Sequence, residues 1–389
     1  MISLKFLSRL VTLPATIIIS IIKYYTVGTI FQRTNKEFQG SLYKNTHLSV
    51  LNHLANNYTR DDVAHVMYAP VTKLFAKFKN TPLTVGLNGY GEKINERTSW
   101  IVRAKDPQGP KKSAILFLHG GGYCLNIFAT QFIGITALYY AVPEPKRANL
   151  SIAILAYSLP CHYKKYPIQI NEAIAAYRAM VEQGYDDIIL VGDSCGVNLT
   201  AAVARFIAYP DEARDHFSQF TEYEWNFSPL PQPQNIVMVS PWLEPYTKPI
   251  LDPNFDYSGD LGAPDTTMGD WYIEGLDRAD VAPFVRFTDN DYRTQWANVD
   301  AVNGKGRTLY IYGSREHLKL GIETFIDLIT KQGDGKLEVH VEEGGIHDGL
   351  FYVESLDYMS AGGAQKALKG DFEGKYAYSL VGKFLEEVL

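Results

Sequence analysis

The chain has 389 residues, of which 46% are hydrophobic and 21% are charged, and its formal net charge is −6. This length is enough for one large domain with insertions or for two ordinary domains. The acidic balance argues against a nucleic-acid partner. Three cysteines do not make a disulfide framework, and whether Cys124 and Cys161 pair depends on a distance that sequence does not give.

The chain begins with an apolar stretch that is long enough to cross a membrane. Residues 10–22 are predominantly apolar, and after Lys23 the stretch continues through 24–31. A membrane-spanning helix needs about 20 such residues, and a lysine near a helix end can extend its ammonium group to the lipid headgroups. No small-residue cleavage site follows, so we predict an uncleaved membrane anchor over residues 1–31. An amphipathic or buried N-terminal helix is the alternative.

Two further regions are predicted to form a cap and the main domain. Residues 32–83 are assigned to a helical cap region, because apolar side chains recur there at helical spacing. Residues 84–389 are assigned to an α/β domain that starts with a β-hairpin over 84–104, with its turn near Gly89–Gly91. A proline-rich segment at about 244–287 interrupts this domain, and we predict that it is a second cap insertion over the functional site.

The rest of the main domain alternates short apolar strands with helices. We predict strands over 114–118, 151–157, 187–191, 235–239, 307–312 and 337–341, and helices over 168–183, 200–208, 318–331 and 375–388. Strands of this kind, separated by helices, are typical of a parallel sheet covered on both faces. Functional groups are then expected at the carboxyl ends of the strands.

The most informative motif follows the predicted strand 187–191. Residues Gly192–Gly196 read Gly-Asp-Ser-Cys-Gly and fit the nucleophile elbow G-x-S-x-G. In that elbow a serine lies on a strained turn between a strand and a helix, with its hydroxyl exposed above the sheet. Ser194 is therefore the predicted nucleophile. The alternative is that Ser194 only caps the helix that follows.

A second glycine-rich stretch, His119–Gly122, follows the predicted strand 114–118. In lipases and esterases such a loop supplies the oxyanion hole beside the elbow. We expect backbone N–H groups of Gly121, Gly122 and Cys195 to hold the oxyanion of a tetrahedral intermediate.

Three neighbouring residues are expected to support this loop. We predict that the ring of His119 fixes the loop, together with Gly120, rather than taking part in the chemistry. Asp193, directly before the predicted nucleophile, is either a salt-bridged structural residue or a part of the chemistry.

Two residues complete a predicted triad with Ser194. A serine hydroxyl is a poor nucleophile unless a base removes its proton and an acid orients that base. In proteins with this elbow the order along the chain is serine, acid, histidine. Glu316 follows strand 307–312 and His347 follows strand 337–341. We predict that His347 transfers the proton and that Glu316 orients His347.

Other residues of the right type compete for these two roles. His317 adjoins Glu316, and His340 lies within a predicted strand. Asp327 lies in the middle of a predicted helix, and Asp348 adjoins the predicted base. The order and position of the strands favour Glu316 and His347.

No cluster has the spacing of zinc ligands and no nucleotide-binding G-x-G-x-x-G occurs, so we predict neither a metal nor a cofactor. N-glycosylation sequons begin at Asn57, Asn149 and Asn226, and these permit a catalytic domain in a lumenal compartment. A fourth sequon, at Asn198, lies in the helix after the nucleophile, and we expect it to be buried and unused.

With these residues in place, the chain resembles the hormone-sensitive-lipase-like branch of the α/β-hydrolases. The matching pieces are His119–Tyr123, Tyr157–Pro160 with Tyr166–Pro167, Gly192–Gly196 and Ser240–Trp242. Within that branch it is most similar to the fungal steryl acetyl hydrolases, in the elbow, in the Gly-Ser-Arg-Glu-His loop at 313–317 and in the N-terminal anchor. The resemblance covers most of the chain from about residue 85 onward. It implies an α/β-hydrolase fold, with a mostly parallel central sheet, helices on both faces and a helical cap.

Two residues depart from the wider branch. Glu316 stands where the branch usually has aspartate, and Cys195 stands where it usually has alanine. We expect the longer glutamate to reach the same histidine. The N–H group of residue 195 belongs to the backbone, so its predicted role is unaffected.

The resemblance implies a serine esterase that removes acetyl groups from sterols and related lipophilic acetate esters through an acyl-serine intermediate. It also implies a single-pass protein of the endoplasmic reticulum membrane with a lumenal catalytic domain. One alternative is an arylacetamide, xenobiotic or acylglycerol esterase of the same branch. Another is a ligand-binding protein on a hydrolase scaffold, although such proteins usually lack a triad member. The sequence leaves the oligomeric state open.

Overall fold

The computed structural model describes residues 2–55, 58–105, 112–144, 146–289 and 291–389. Its centre is a sheet with the strand order β1-β3-β2-β4-β5-β6-β7. The strands are β1 Thr98–Val102, β2 Ser113–Leu118, β3 Leu150–Leu155, β4 Asp187–Asp193, β5 Asn235–Val239, β6 Arg307–Gly313 and β7 Glu338–Glu342. β1 pairs with β3 in the antiparallel sense and the other neighbours are parallel. The predicted α/β fold with a mostly parallel sheet is confirmed.

Helices cover both faces of this sheet. Those before β1 are α1 Leu4–Tyr25, α2 Ile30–Thr34, α3 Leu42–Leu54, α4 Arg60–Asp62, which continues as the π-helical turn Val63–Met67, and α5 Val71–Phe78. Between β2 and β6 lie α6 Ala129–Ala141, α7 Ile168–Glu182, α8 Cys195–Ala208, α9 Pro210–Phe217, α10 Thr267–Tyr272, α11 Arg278–Val285, α12 Tyr292–Gln295 and α13 Asp300–Asn303. The last are α14 Lys319–Thr330, α15 Ser355–Tyr358, α16 Ala361–Leu368 and α17 Tyr376–Val388.

The central strands are buried on both faces, which explains their continuous apolar sequences. On β2, Ala114, Leu116 and Leu118 contribute to one hydrophobic core, and Ile115 and Phe117 contribute to the core on the opposite face. Side chains alternate between the two faces of a strand, so each face needs apolar residues when helices cover both. Apolar packing on both faces stabilises the strands. Polar residues are therefore found in the loops that follow their carboxyl ends.

The β-hairpin predicted over 84–104 forms only in part. Its second arm is β1, but the first arm is reduced to a single bridge between Lys93 and Ser99. Gly89 and Gly91 have φ angles of 71° and 80°, which turn the chain where a strand would have to continue. The chain does turn near Gly89–Gly91 as predicted, but the predicted first arm over 84–88 is wrong, because these residues form turns rather than an extended strand.

The N-terminal helix α1 lies alongside α3. The Oγ1 atom of Thr12 is 3.2 Å from Nε2 of His53, and the hydroxyls of Ser20 and Ser49 are 3.1 Å apart. Residues Leu4–Thr34 are the only segment of the described ranges that is long and apolar enough to cross a membrane, and 11% of its most apolar window is buried. Exposed apolar side chains follow the outer face of α1 at helical spacing, namely Leu4, Leu7, Val11, Ile18 and Ile22.

The proline-rich segment 244–287 lies between β5 and β6 and contains α10 and α11. Asp260 and Met268 of this segment line the same cavity as Ser194. Leu51 of α3 lines that cavity as well. Both segments predicted as caps therefore contribute to the surroundings of one cavity at the carboxyl edge of the sheet.

Candidate active site

Three loops at the carboxyl edge of the sheet bring the predicted triad residues together. Ser194 follows β4, Glu316 follows β6 and His347 follows β7. The hydroxyl of Ser194 lies 2.9 Å from Nε2 of His347, and Nδ1 of His347 lies 3.1 Å from Oε2 of Glu316. With the proton on Nδ1 donated to the carboxylate, Nε2 is free to accept the serine proton, as proton transfer requires.

The backbone at Ser194 is strained in the way that a nucleophile elbow requires. Its φ and ψ angles are 51° and −121°, and it directly precedes α8. A Cβ atom on Gly196 would overlap the carbonyl oxygen of Leu118, so only glycine allows this helix to approach β2. The side chain of Ser194 makes no capping hydrogen bond to α8. The alternative that its hydroxyl serves as a helix cap therefore does not describe this structure.

Glu316 is completely buried, and its carboxylate is held from several sides. Oε1 accepts hydrogen bonds from the N–H of Gly313 and from the hydroxyl of Ser240, both at 2.6 Å, and Oε2 faces His347. Ser240 in turn accepts a hydrogen bond of 2.8 Å from the N–H of Asp348. A buried carboxylate needs such donors, because they replace the water it has lost.

The environment of His347 changes its proton affinity. Burial favours the neutral ring, but the hydrogen bond and charge of Glu316, with the charges of Asp260 and Asp193, outweigh burial and raise the pKa of His347 above its usual value. The same negative charges would stabilise the imidazolium that forms when a serine proton is transferred.

The competing residues lie in other surroundings. Asp327 is on α14 and forms an ion pair of 2.8 Å with Lys331. His340 lies on β7, 3.2 Å from Glu338, and is remote from the elbow in the sheet order. His317 points its Nδ1 atom at Asp260, at a distance of 2.8 Å.

The glycine-rich loop after β2 is fixed by buried groups. Nδ1 of His119 donates to the carbonyl of Gly120 at 2.7 Å, and the His119 ring stacks on Tyr157 with centroids 4.2 Å apart. Burial lowers the pKa of His119 to about 4, so the ring is neutral at physiological pH. The N–H of Gly120 donates to Asp193 at 2.8 Å, and a Cβ atom on Gly120 would overlap that carboxylate.

Asp193 and Asp348 form a buried carboxyl pair beneath the site. Asp193 also accepts a hydrogen bond of 2.6 Å from the side chain of Gln131. Burial and the charge of Asp193 raise the pKa of Asp348 well above its usual value, which favours the protonated form of Asp348 beside Asp193. The partners of Asp193 are thus the N–H of Gly120, the amide of Gln131 and the carboxyl group of Asp348. The interpretation of Asp193 as a salt-bridged residue requires a cation instead.

Two of the three predicted oxyanion donors border the cavity of the nucleophile. Gly121 and Gly122 line it together with Ser194, and their φ angles of 110° and 60° are ones that glycine readily adopts. A Cβ atom on Gly122 would overlap the sulfur of Met268. Cys195 is the first residue of α8, and the first N–H groups of a helix have no acceptor within it. The role of these three donors stays a prediction.

The cavity at Ser194 has a volume of about 480 Å³. This lies in the range of small-molecule sites, about 300–1,000 Å³. Most of its lining is apolar, as with Phe6, Leu10, Leu51, Trp242 and Met268, and its polar members include Ser194, His347 and Asp260. A lipophilic molecule with one polar group near Ser194 suits this distribution.

Sequence analysis missed several residues that support the site. Ser240 follows β5 in the matched Ser-Pro-Trp motif, and its position at a strand end was the signal that could have identified it. Gln131 lies on α6, a helix that the sequence analysis did not predict. Asp260 lies in an irregular segment whose sequence gives no indication of what it contacts.

The cysteines and the asparagines of the sequons differ in burial. Cys124 and Cys161 are free and buried, as is Cys195. Asn198 is completely buried and hydrogen-bonded to Tyr123 and Val285, which confirms the expected burial; that this sequon is unused stays a prediction. Asn226 is exposed, Asn149 is half-buried, and Asn57 lies outside the described residues. Within the described ranges, no three His, Cys, Asp or Glu side chains are grouped to hold a metal ion.

Known proteins share this sequence pattern and fold. A family model described as steryl acetyl hydrolase matches residues 4–360. The chain is 25% identical over 369 residues to "Putative steryl acetyl hydrolase mug81" of Schizosaccharomyces pombe, which spans 91% of this chain and 92% of that protein. It is 23% identical over 261 residues to "Steryl acetyl hydrolase 1" of Saccharomyces cerevisiae, which spans 62% of this chain and 56% of that protein.

Solved structures show the same fold at lower identity. The esterase EstE5 superimposes with a TM-score of 0.58 at 20% identity, over 91% of this chain and 98% of that chain. An esterase from the bacterial hormone-sensitive lipase family gives a TM-score of 0.54 at 18% identity, over 88% and 97% of the two chains. The resemblance identified from the motifs is confirmed: the chain belongs to the steryl acetyl hydrolase family and is a carboxylic ester hydrolase.

Proposed function

We propose that this protein hydrolyses acetate esters of sterols and related lipophilic alcohols, with Ser194, His347 and Glu316 as its triad. The observation that carries the proposal is the chain of hydrogen bonds from Ser194 through His347 to Glu316, which opens into an apolar cavity. The names of the two fungal relatives support the acetyl group and the sterol as the substrate class.

In the proposed reaction, His347 takes the proton of Ser194 while the serine oxygen attacks the acetyl carbonyl carbon. The resulting oxyanion would accept hydrogen bonds from the backbone N–H groups of Gly121, Gly122 and Cys195. The imidazolium then gives its proton to the departing sterol oxygen, which leaves acetyl-Ser194. A water molecule, deprotonated by His347, attacks this intermediate, and acetate leaves with Ser194 restored.

The first test is acetate release from a sterol acetate by detergent-solubilised protein, with Ser194→Ala beside the wild type. Removal of a serine nucleophile typically costs about 10⁶-fold in kcat, so the variant should release no measurable acetate. Ser218→Ala, at an exposed serine after α9, is the matched control and should retain activity. Retained activity in Ser194→Ala would refute the mechanism.

The choice of substrate is tested separately from the triad. Activity that depends on Ser194 but favours acylglycerols or arylacetamides would replace the sterol assignment with that of another esterase of the branch. A series of acyl-chain lengths on one alcohol distinguishes these cases. Failure of a serine-reactive phosphonate to label Ser194 would instead favour a ligand-binding protein.

We propose α1 as the membrane attachment of this enzyme, in the endoplasmic reticulum and with a lumenal catalytic domain. The exposed apolar face of α1 and the fungal relatives support attachment. Phe6 and Leu10 on its other face line the cavity, so lipid bound to α1 would lie beside the substrate site. Because α1 also contacts α3 through His53 and Ser49, a single-pass arrangement requires that these contacts open and that Phe6 and Leu10 leave the cavity wall, whereas α1 that lies on the membrane surface can keep both.

The membrane arrangement is tested by protease protection of an N-terminal tag and by glycosidase treatment of the protein in microsomes. A single-pass lumenal enzyme leaves the tag exposed to protease and carries glycan on exposed Asn226. A tag that is protected together with the catalytic domain would overturn the spanning arrangement.

We propose further that 32–83 and 244–287 act as caps on a catalytic domain that spans 84–389. Leu51 from the first segment and Met268 from the second contribute side chains to the cavity, which supports this division. Variants of the apolar lining residues in these segments, such as Leu51 and Met268, should alter the choice of ester more than the rate on a minimal acetate ester.

A further inference from the structure

Asp260 lies far from the triad in sequence but contacts two of its loops. It belongs to the irregular part of segment 244–287 that precedes α10, and it is only 5% exposed. Its Oδ1 atom accepts a hydrogen bond of 2.6 Å from the backbone N–H of His347. Its Oδ2 atom accepts one of 2.7 Å from the backbone N–H of His317, next to Glu316. One carboxylate thus joins the acid loop to the base loop.

Residues 256–260, which we call the strap, contact the loop that carries Glu316. The guanidinium of Arg315 donates to the carboxylate of Asp256 and to the carbonyl of Ser258, both at 2.9 Å. The ring of Tyr257 stacks on His317 with centroids 5.6 Å apart. The strap is therefore fixed to the loop that carries Glu316 by contacts other than those of Asp260 itself.

The loop that carries His347 depends on acceptors from outside it. The residue that follows, Asp348, has a φ angle of 58°, which non-glycine residues rarely adopt. The N–H of Asp348 donates to Ser240, and the N–H of His347 donates to Asp260. The backbone N–H groups of His347 and Asp348 are thus both bound by other segments. These two hydrogen bonds help to hold the imidazole between Glu316 and Ser194.

Asp260 also contributes charge to the site. The titratable groups that face or adjoin the His347 ring come from several segments, namely Glu316 after β6, Asp193 at the end of β4, Asp260 of the strap, His317 and Asp348. Glu316, Asp260 and Asp193 each raise the pKa of His347. Among these three, Asp260 is the one that belongs to the segment predicted as a cap.

We propose that Asp260 is a positioning residue for ester hydrolysis: its carboxylate holds the backbone of His347 against the acid loop and stabilises the imidazolium. The inference rests on the proposed triad. The strap continues into Leu261 and Gly262, which line the cavity, so one segment supplies both part of the cavity wall and the acceptor for the His347 backbone.

The test is Asp260→Asn, measured as kcat, KM and their pH dependence on a soluble acetate ester. The asparagine side chain has one acceptor oxygen and one NH₂ group. The NH₂ group would face the backbone N–H of either His317 or His347 and repel it, so His347 should shift. A misplacement of about 1 Å can cost about 100-fold, and we expect a fall of that order in kcat with little change in KM. Loss of the negative charge lowers the pKa of His347, so the acid limb of the pH profile should move to lower pH.

Two further variants separate positioning from folding. Asp260→Glu keeps the charge and should keep the acid limb near that of the wild type while recovering part of the activity. Asp252→Asn removes an exposed carboxylate of the same segment and should change neither rate nor profile. Thermal unfolding of each variant shows whether the fold is retained.

The inference is overturned if Asp260→Asn retains the wild-type rate, or if its rate falls while the acid limb stays in place. Its failure is distinct from failure of the proposed triad. If Ser194→Ala is inactive and Asp260→Asn resembles the wild type, only the role of Asp260 is refuted. If Ser194→Ala is active, the triad itself is refuted.

Discussion

Different interactions stabilise the carboxyl edge of the sheet and the segments that cover it. At the edge, Glu316 and Asp193 are completely buried and each accepts two or more hydrogen bonds. In the covering segments, Phe6, Leu51 and Met268 contribute apolar side chains to the cavity wall. Hydrogen bonds fix direction, whereas apolar contacts depend mainly on area and volume. We therefore expect substitutions at the edge to impair rate and those of apolar residues in the cover to alter substrate choice, whereas Asp260, a cover residue that is hydrogen-bonded to the edge, should behave like an edge residue.

The largest expected effect that tests this contrast is at Glu316. Replacement by glutamine keeps the size but removes the charge that orients His347, and the corresponding change in a serine protease lowers kcat about 10⁴-fold. We expect Glu316→Gln to lose activity on every ester to the same extent, and to lower the apparent pKa of the acid limb. Glu316→Asp is the control, since it keeps the charge and should retain more activity than the amide. Equal losses in both variants would contradict an electrostatic role.

Gly122 tests the backbone of the oxyanion loop. Alanine there would overlap Met268 at a φ angle of 60°, so the loop would have to move. Loss of one oxyanion donor costs about 10²–10³-fold in kcat, and we expect Gly122→Ala to fall in that range. Gly184→Ala is a matched control, because its φ angle of 83° imposes similar strain in open space far from the site. Similar rates in the two variants would show that Gly122 has no special role.

A smaller and more selective effect is expected in the cover. Leu10→Ala removes apolar contact in the cavity wall, and one or more methylenes in such a pocket are worth about 10–200-fold in discrimination. We expect kcat/KM to fall for sterol acetates and to change little for ethyl acetate. Val11→Ala, on the outer face of α1 where the side chain is 72% exposed, should leave both ratios unchanged. An equal fall of kcat/KM for both esters would show that Leu10 affects the rate, like an edge residue, and not the choice of substrate.

The contrast also explains how much could be predicted from sequence. Ser194 and Glu316 follow the buried strands β4 and β6, and His347 follows the edge strand β7, whose glycine-bearing loop identifies it. The helix α6 was missed because ten of its residues are buried and it has no polar face to give a period. Asp260 was missed because its partners lie 57 and 87 residues away, and no local pattern records such contacts.

The buried pair of Asp193 and Asp348 has a consequence for the folding equilibrium: it binds a proton more tightly in the native state than in the unfolded chain. Burial and the charge of its neighbour raise the pKa of Asp348 when the chain folds. Stability conferred by such a group is greatest below the unfolded pKa, and it falls as pH rises toward the folded pKa. One proton corresponds to about 1.4 kcal/mol per pH unit in the free energy of unfolding.

Asp348→Asn imitates the protonated carboxyl and should remove this dependence. The variant should therefore gain thermal stability relative to the wild type at pH 8 and gain little at pH 5. Calorimetry in the two buffers measures the difference, and equal gains at both values would contradict proton uptake by this pair. If it holds, this one carboxyl pair favours the native state in acid, whereas groups such as Asp62, whose pKa is lowered by its hydrogen bonds in the native state, oppose that trend.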